Sequence, residues 1–351
     1  MSARRERNAI VSFAAVVVII YGIQFAKALL VPFLVALFLA LIAVRPMLWM
    51  ERKRVPTVAA ALVIVIIMML ILSVVGTIVG RSIAEFTAAL PSYQARLEVI
   101  VGEAVQFGVE QLGMEDLSSD IRDILNPGTA MGLVAAFLNG LRGLLTNVFL
   151  IFIALTFMLL EASTVRTKVE AAFGRSAAAL GKQRVFLQNI ERYLGIKTVV
   201  SLATGFLAWL LTWLIGLDFS LLWGLTAFLL NYVPTIGSII AAIPAILLAL
   251  VQLGPGAAFA TLTGFVVINV ALGNILEPRV MGYGVGLSPL VVLVGIFFWG
   301  FVLGPVGMLL SVPLTMTLKL ALEYDESTRW IAIFLGSERD AQYELERGEA
   351  D

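Results

Sequence analysis

The chain has 351 residues, 60% of them hydrophobic and 14% charged, with a mean hydropathy of +0.99; soluble domains run nearer about 45–50% apolar and about 25% charged, so this is the composition of a polytopic membrane protein. Its 24 basic and 24 acidic residues cancel, and no basic stripe with interleaved aromatics suits nucleic acid. With no Cys and no His there is no thiolate or imidazole metal site, no Ser-His or Cys-His nucleophile pair and no zinc-protease helix, and proton coupling would have to run through carboxylates or lysines.

At about 20 residues per crossing, the first span falls over residues 10–25 and the second over 29–44, parted only by Lys27 and its neighbours and therefore predicted to form a tight hairpin. The N-terminal run is read as a retained helix, because no small-residue cleavage site follows it. A third span covers 58–80. Residues 81–127 then change character: Ile83, Phe86, Leu90, Leu97, Ile100 and Val101 recur at helical spacing beside Glu and Arg, as in amphipathic helices lying on a surface. Asn126, Pro127 and Gly128 close that segment as a turn. A fourth span over 133–160 carries Arg142 near one end, a polar linker follows over 161–192, and a fifth span covers 193–215.

Lys and Arg placement sets the orientation. The N-terminal RRER and the loop with Arg45, Arg52, Lys53 and Arg54 are both basic and share one side of the first hairpin. Residues 81–127 carry three basic residues against eight acidic, and 161–192 carry six basic against three acidic. The expected N-terminus is cytoplasmic, in a multi-pass membrane protein.

From Trp223 to Pro313 the only charges are Glu277 and Arg279, yet Pro and Gly repeatedly break the apolar run. Broken segments over 217–233 with 236–250 and over 287–301 with 306–322 flank a span over 257–276, and counting each broken segment as one crossing gives eight. An interrupted helix in hydrocarbon leaves backbone N–H and C=O groups to be satisfied, so such segments persist where they are buried in protein or line a wet cavity. The fold class is all-α, with about eight transmembrane helices and broken or re-entrant hairpins in the C-terminal half.

Four groups are candidates for a substrate or ion site, and a fifth for a hinge. Asn231, Pro234, Thr235 and Gly237 form the first: Pro234 deletes a donor, Gly237 permits close backbone approach, and the half-helix beginning near Thr235 points its positive end at the same place. A plain packed proline kink is the alternative. Asn274, Glu277 and Arg279 end the seventh span, where an adjacent acid and base bind a polar solute, neutralise each other or mark the interface. Lys197, one turn inside the fifth span with Ser201 four residues on, either contacts substrate or snorkels to the headgroups. Asp218 is either a mobile-ion carboxylate or, more simply, a cap at a helix start. Gly282, Gly284 and Gly286 make a plausible hinge, with Gly304 and Gly307 as further hinge positions. Without a following GK[ST] and a βαβ setting, these glycines are no nucleotide loop.

Trp223, Gly224, Pro234, Gly237 and Pro244 have rough counterparts in Trp299, Gly300, Gly304, Gly307 and Pro313 at different spacing. That suggests an internal repeat; if it is real, two hairpins face each other and move by an elevator-like or rocking form of alternating access.

The motifs VPFLVALFLALIAVRP, YLGIKTVVSLATG, LNYVPTIGSIIAAIPAILLAL and NILEPRVMGYGVGLSPLVVLVGIFFWGFVLGPVGMLLSVPL occur in that order over nearly the whole chain. In this the sequence resembles the AI-2E family, the autoinducer-2 exporter-like bacterial transporters. The resemblance implies an eight-span inner-membrane protein, export of autoinducer-2 in some members, sodium/proton antiport in some halophile members, and oligomers that include pentamers.

The domain organisation expected is a three-span scaffold (1–80), an extracytoplasmic amphipathic segment (81–130), the fourth span with a cytoplasmic linker (131–192), a transport core (193–322) and a cytoplasmic tail (323–351). No ATP-binding motif and no soluble catalytic domain stand out, so the reading is a secondary transporter and not an enzyme, without a cofactor or bound metal, exporting a small polar metabolite such as autoinducer-2 with H+ or Na+ as coupling ion. A sodium/proton antiporter, dependent on Glu277 or Asp218, is the alternative. A membrane scaffold acting through its outer segment and tail is a third reading.

Overall fold

The computed structural model describes residues 2–112, 127–144, 148–173, 177–281, 286–323 and 327–338, with Gln342. Among them there are only helices and turns, so the all-α expectation holds. In order they are α1 (Ser2–Arg52), α2 (Thr57–Leu112), α3 (Pro127–Leu144), α4 (Val148–Phe173), α5 (Ala177–Ile215), α6 (Ser220–Leu230), α7 (Ile236–Leu253) and α8 (Pro255–Ile268). A π-helical segment (Asn269–Leu276) follows, then α9 (Glu277–Met281), α10 (Pro289–Leu303), α11 (Pro305–Leu309), α12 (Ser311–Glu323) and α13 (Arg329–Leu335). Five stretches among the described residues are long and apolar enough to cross a membrane: Val17–Arg52, Thr57–Glu103, Gln188–Ile215, Ile236–Leu253 and Pro255–Met281. Met131–Gly140, Val148–Ala162, Ser220–Leu230 and Pro289–Leu303 are shorter apolar helices.

One sequence expectation is corrected. The hairpin predicted over residues 10–44 does not form: α1 is one 51-residue helix, about 76 Å long at about 1.5 Å per residue. Lys27 stands between Ala26 and Ala28, among good helix formers with no Gly, Asn or Ser to make a turn, and Pro32 is accommodated inside the helix. A continuous α1 sets the RRER residues and Arg52 at opposite ends of one helix. Of the span predicted over 133–160, the described residues fall in α3 and α4.

The chain separates into two compact units. The first comprises residues 1–69, 147–197 and 280–351. There α1 packs on α4 and α10, presenting a buried stripe of Ala36, Ala40, Ala43 and Met47. Small residues at spacing four and three let a neighbouring helix come close where dispersion contacts must hold the bundle. A second cluster joins Ile190, Tyr193 and Leu194 of α5 to Leu287, Val312 and Met316. Arg45 and Glu191 approach to 3.5 Å at a partly exposed position, a pairing that contributes little.

The second unit comprises residues 70–146 and 198–279. Its core is built from Phe86, Tyr93, Leu97 and Val101 of α2, Met131, Val134 and Leu138 of α3, Trp223 of α6 and Ala241, Ala245 and Leu248 of α7. The apolar face read from the sequence between 83 and 101 is thus the face α2 buries. Gly254, at φ 92°, and Pro255 at the first position of α8 turn the chain sharply, so α7 and α8 pack as a helical hairpin.

The Cys-free chain makes the continuity of α1 directly measurable. Spin labels on Ile19→Cys and Leu37→Cys, both exposed, should lie about 27 Å apart along one helix, whereas two packed arms of a hairpin would bring them to within roughly 15 Å.

Candidate functional site

In the second unit α5 and α6 cross closely. A Cβ on Gly205 would lie 2.8 Å from the Gly224 carbonyl oxygen and 2.7 Å from Phe228 Cβ; one on Gly224 would lie 2.8 Å from the Gly205 oxygen and 2.5 Å from Trp209 Cβ. Neither position has room for a side chain, so the two backbones meet directly, as small residues allow between membrane helices. Thr198, Ser201, Gly205, Trp209 and Thr212 recur every three or four residues along α5, and Gly224, Phe228 and Asn231 do so along α6 and its end, so each set shares a face.

At one end of this seam Thr212 Oγ1 lies 3.4 Å from the Ser220 carbonyl. At the other end Asn231 Nδ2 donates to Ser201 Oγ at 2.9 Å, and the Tyr232 hydroxyl donates to Thr198 Oγ1 at 2.8 Å. Asn231 is 7% exposed and Ser201 fully buried. Such side-chain pairs between membrane helices contribute on the order of 1 kcal/mol each.

Directly beyond Asn231 the backbone turns out of the helix. Pro234 removes the amide that would have bonded to the Leu230 carbonyl, and Val233 N–H takes that acceptor instead at 2.9 Å. Thr235 follows at φ 61°, ψ −54°, while Ile236 N–H donates to the Pro234 carbonyl at 2.6 Å, which closes a three-residue γ-turn. A β-branched residue in this region is strained by about 1–3 kcal/mol and persists only where its surroundings enforce it. Gly237 supplies part of that enforcement. A Cβ there would stand 1.8 Å from the Leu230 oxygen, so the first turn of α7 rests on the last carbonyls of α6.

The first unit repeats this device. Pro305 removes the amide partner of the Phe301 carbonyl, and Gln24 Nε2 of α1 donates to it at 3.0 Å. Gly304 turns at φ 76°, and a Cβ on Gly307 would lie 2.0 Å from the Trp299 oxygen. The two breaks therefore share a proline that frees a carbonyl and a glycine seated on a carbonyl upstream. Their tryptophans are held differently: Trp223 Nε1 donates to the Asp218 carbonyl at 2.9 Å, and Trp299 Nε1 to Thr315 Oγ1 at 3.0 Å.

Of the residues singled out in the sequence, Asn231 and Ser201 are in contact, and Pro234, Thr235 and Gly237 shape the turn beside them. Thr235 is exposed. Lys197 is 2% exposed, so it does not snorkel to an open surface. Asn274 lies exposed on the π-helical segment, where Glu277 N–H reaches five residues back to the Leu272 carbonyl. That wider register accompanies Pro278, which has no amide for the Asn274 carbonyl, and π-helical turns recur at functional sites. Glu277 is half-buried and Arg279 exposed. Gly286 has φ 68° and its carbonyl accepts from Lys319 Nζ at 2.8 Å; Gly282 and Gly284 lie outside the described residues.

Asp218 is not a helix cap. Phe219, at φ 59°, takes the cap position of α6. The Asp218 carboxylate instead accepts the Tyr93 hydroxyl at 2.9 Å, and its amide donates to Gln252 Oε1 at 2.9 Å. Sequence reasoning does not select Thr198, Tyr232 or Gly205, and it places Gly224 only in the suggested repeat. Their faces are visible as three- and four-residue spacings in α5 and α6, but which faces meet is a tertiary fact.

A long helical protein with two proline-broken, glycine-seated turns matches the sequence profile described as "AI-2E family transporter" over residues 13–325. The chain belongs to the AI-2E transporter family. It is 36% identical to AI-2 transport protein TqsA of Escherichia coli (strain K12) over 326 residues, covering 93% of this chain and 94% of that protein. A Haemophilus influenzae protein provisionally named as a transport protein is 38% identical over 339 residues, with 94% and 97% covered. YhhT of Escherichia coli (strain K12), also provisionally named for transport, is 33% identical over 330 residues, with 94% of each chain covered. This AI-2E family member is accordingly a multi-pass membrane transporter, and its broken helices are the local structures to test.

Two glycine substitutions separate contact from composition. Gly237→Ala should lower the melting temperature in detergent clearly or abolish folding, since overpacking costs typically about 1–3 kcal/mol even where neighbours yield. Gly80→Ala, with nothing within 4 Å of the added carbon, should leave it unchanged or raise it, since Ala is the better helix former. A melting curve by fluorescence-detected size exclusion reads both.

Proposed function

We propose that this transporter exports a small polar solute of the autoinducer-2 class by alternating access, and that the turn between α6 and α7 binds the solute. The buried Asn231–Ser201 pair beside the strained Thr235 turn carries this reading. An amide and a hydroxyl withdrawn from lipid supply directional donors and acceptors suited to a hydroxylated metabolite. The start of α7 adds the positive end of an 18-residue helix at the same place. Strain held at Thr235 gives this turn a second conformation to relax into, as a two-state transport cycle needs. The name of TqsA supplies the solute class.

A sodium/proton antiporter is the competing reading, favoured by the half-buried Glu277 directly after the π-helical segment. Asp218 is less suited to that role, because its carboxylate is engaged by Tyr93.

Purified protein in proteoliposomes, followed for autoinducer-2 flux and internal pH together, decides between them. Saturable flux that falls at least about tenfold in Asn231→Ala, with a melting temperature near that of the parent, is the expected outcome: losing one such pair costs only on the order of 1 kcal/mol of stability. Sodium-triggered pH change without organic flux, abolished in Glu277→Gln, would replace the exporter with the antiporter.

A further inference from the structure

The hairpin of α10, α11 and α12 carries no charge from Leu287 to Leu318, and its two ends meet. Lys319 Nζ, the first charge after that run, donates to the carbonyl of Gly286, just before α10, at 2.8 Å. Lys319 thus marks the level at which the apolar hairpin gives way to polar groups, and the start of α10 lies at that level. The short helix α13 is fastened at this level from both sides. Thr328 Oγ1 donates to the Leu322 carbonyl of α12 at 2.9 Å, and the Leu335 carbonyl accepts the Ser288 amide at the start of α10 at 3.2 Å.

One face of α13 is turned inward and another is bare. Ala332 is fully buried, while Trp330 and Phe334 are 61% and 78% exposed. These two rings, four residues apart on one face, contact each other edge to face with centroids 6.2 Å apart. An indole and a phenyl side by side at the border of an uncharged helical hairpin match the chemistry of the headgroup–acyl boundary, where amphipathic aromatics gather.

We propose that α13 is an in-plane membrane anchor whose Trp330–Phe334 face inserts into the headgroup–acyl boundary of the bilayer. The occupant of this face is lipid because α13 is hydrogen-bonded to the level at which the apolar hairpin begins. Through the Leu335–Ser288 hydrogen bond the anchor also holds the entrance of α10, which ties the hairpin to the plane of the membrane.

The absence of native Cys provides a clean background. Full-length Phe334→Cys and Trp330→Cys, each carrying bimane, are placed in phosphatidylcholine–phosphatidylglycerol vesicles, with Glu338→Cys, an exposed position, as the aqueous reference. Lipids bearing a doxyl group near the headgroup should quench positions 334 and 330 at least about twofold more than lipids doxylated near the bilayer centre, and aqueous iodide should quench them several-fold less than position 338. Iodide quenching equal to that at 338 without lipid quenching would overturn the anchor. Shielding from both quenchers, or cross-linking of two chains through position 334, would overturn it in favour of a protein partner.

Discussion

Direct backbone contact between Gly205 and Gly224 is the constraint on which the candidate site rests. Both built Cβ positions fall 2.8 Å from the opposing carbonyl oxygen, so any side chain at either residue would push α5 and α6 apart. Separation of the helices would also part Asn231 from Ser201 and Tyr232 from Thr198, because those pairs sit farther along the same seam. In lipid there is no hydrophobic force to close helix against helix, and close packing with a few polar pairs has to serve. The same contact therefore fixes the end of α6 and, through Gly237, the start of α7.

The two breaks show how a membrane protein satisfies the carbonyls that proline frees. Pro234 frees the Leu230 acceptor and Val233 takes it locally; Pro305 frees the Phe301 acceptor and Gln24 takes it from another helix. Each solution leaves a turn that is not helical but whose freed carbonyl is satisfied, which is the condition for irregular chain at membrane depth. A local solution leaves its strain in the turn itself, at Thr235. A distant one ties the break to another helix, here α1.

Much of this was legible in the sequence because it is written in local chemistry. Pro234 and Gly237 announce the interruption after α6, the spacing of Phe86, Leu97 and Val101 announces the buried face of α2, and the ordered motifs carry the family. What was not legible depends on partners far away in the chain. Asn231 and Ser201 are 30 residues apart, Tyr93 and Asp218 are 125 apart, and Gln24 and Phe301 are 277 apart. No spacing rule selects those pairs. The error over α1 has a different origin: hydropathy counts crossings by length and takes a single lysine for a boundary, whereas the helix continues wherever local propensity lets it. Asp218 misled similarly, since a short acidic residue before a helix resembles a cap until its actual partner, Tyr93, is seen.

The central claim is that the turn between α6 and α7 meets the transported solute, and solute protection of an introduced thiol there tests it most directly. Thr235→Cys in proteoliposomes would be labelled by a soluble maleimide with and without autoinducer-2, beside Leu253→Cys at the far end of α7. Slower labelling at position 235 alone, saturating over the concentration range in which flux saturates, is the predicted result. Equal labelling rates with and without solute, in protein that still transports it, would place the pathway elsewhere and reduce the α6–α7 turn to a packed kink.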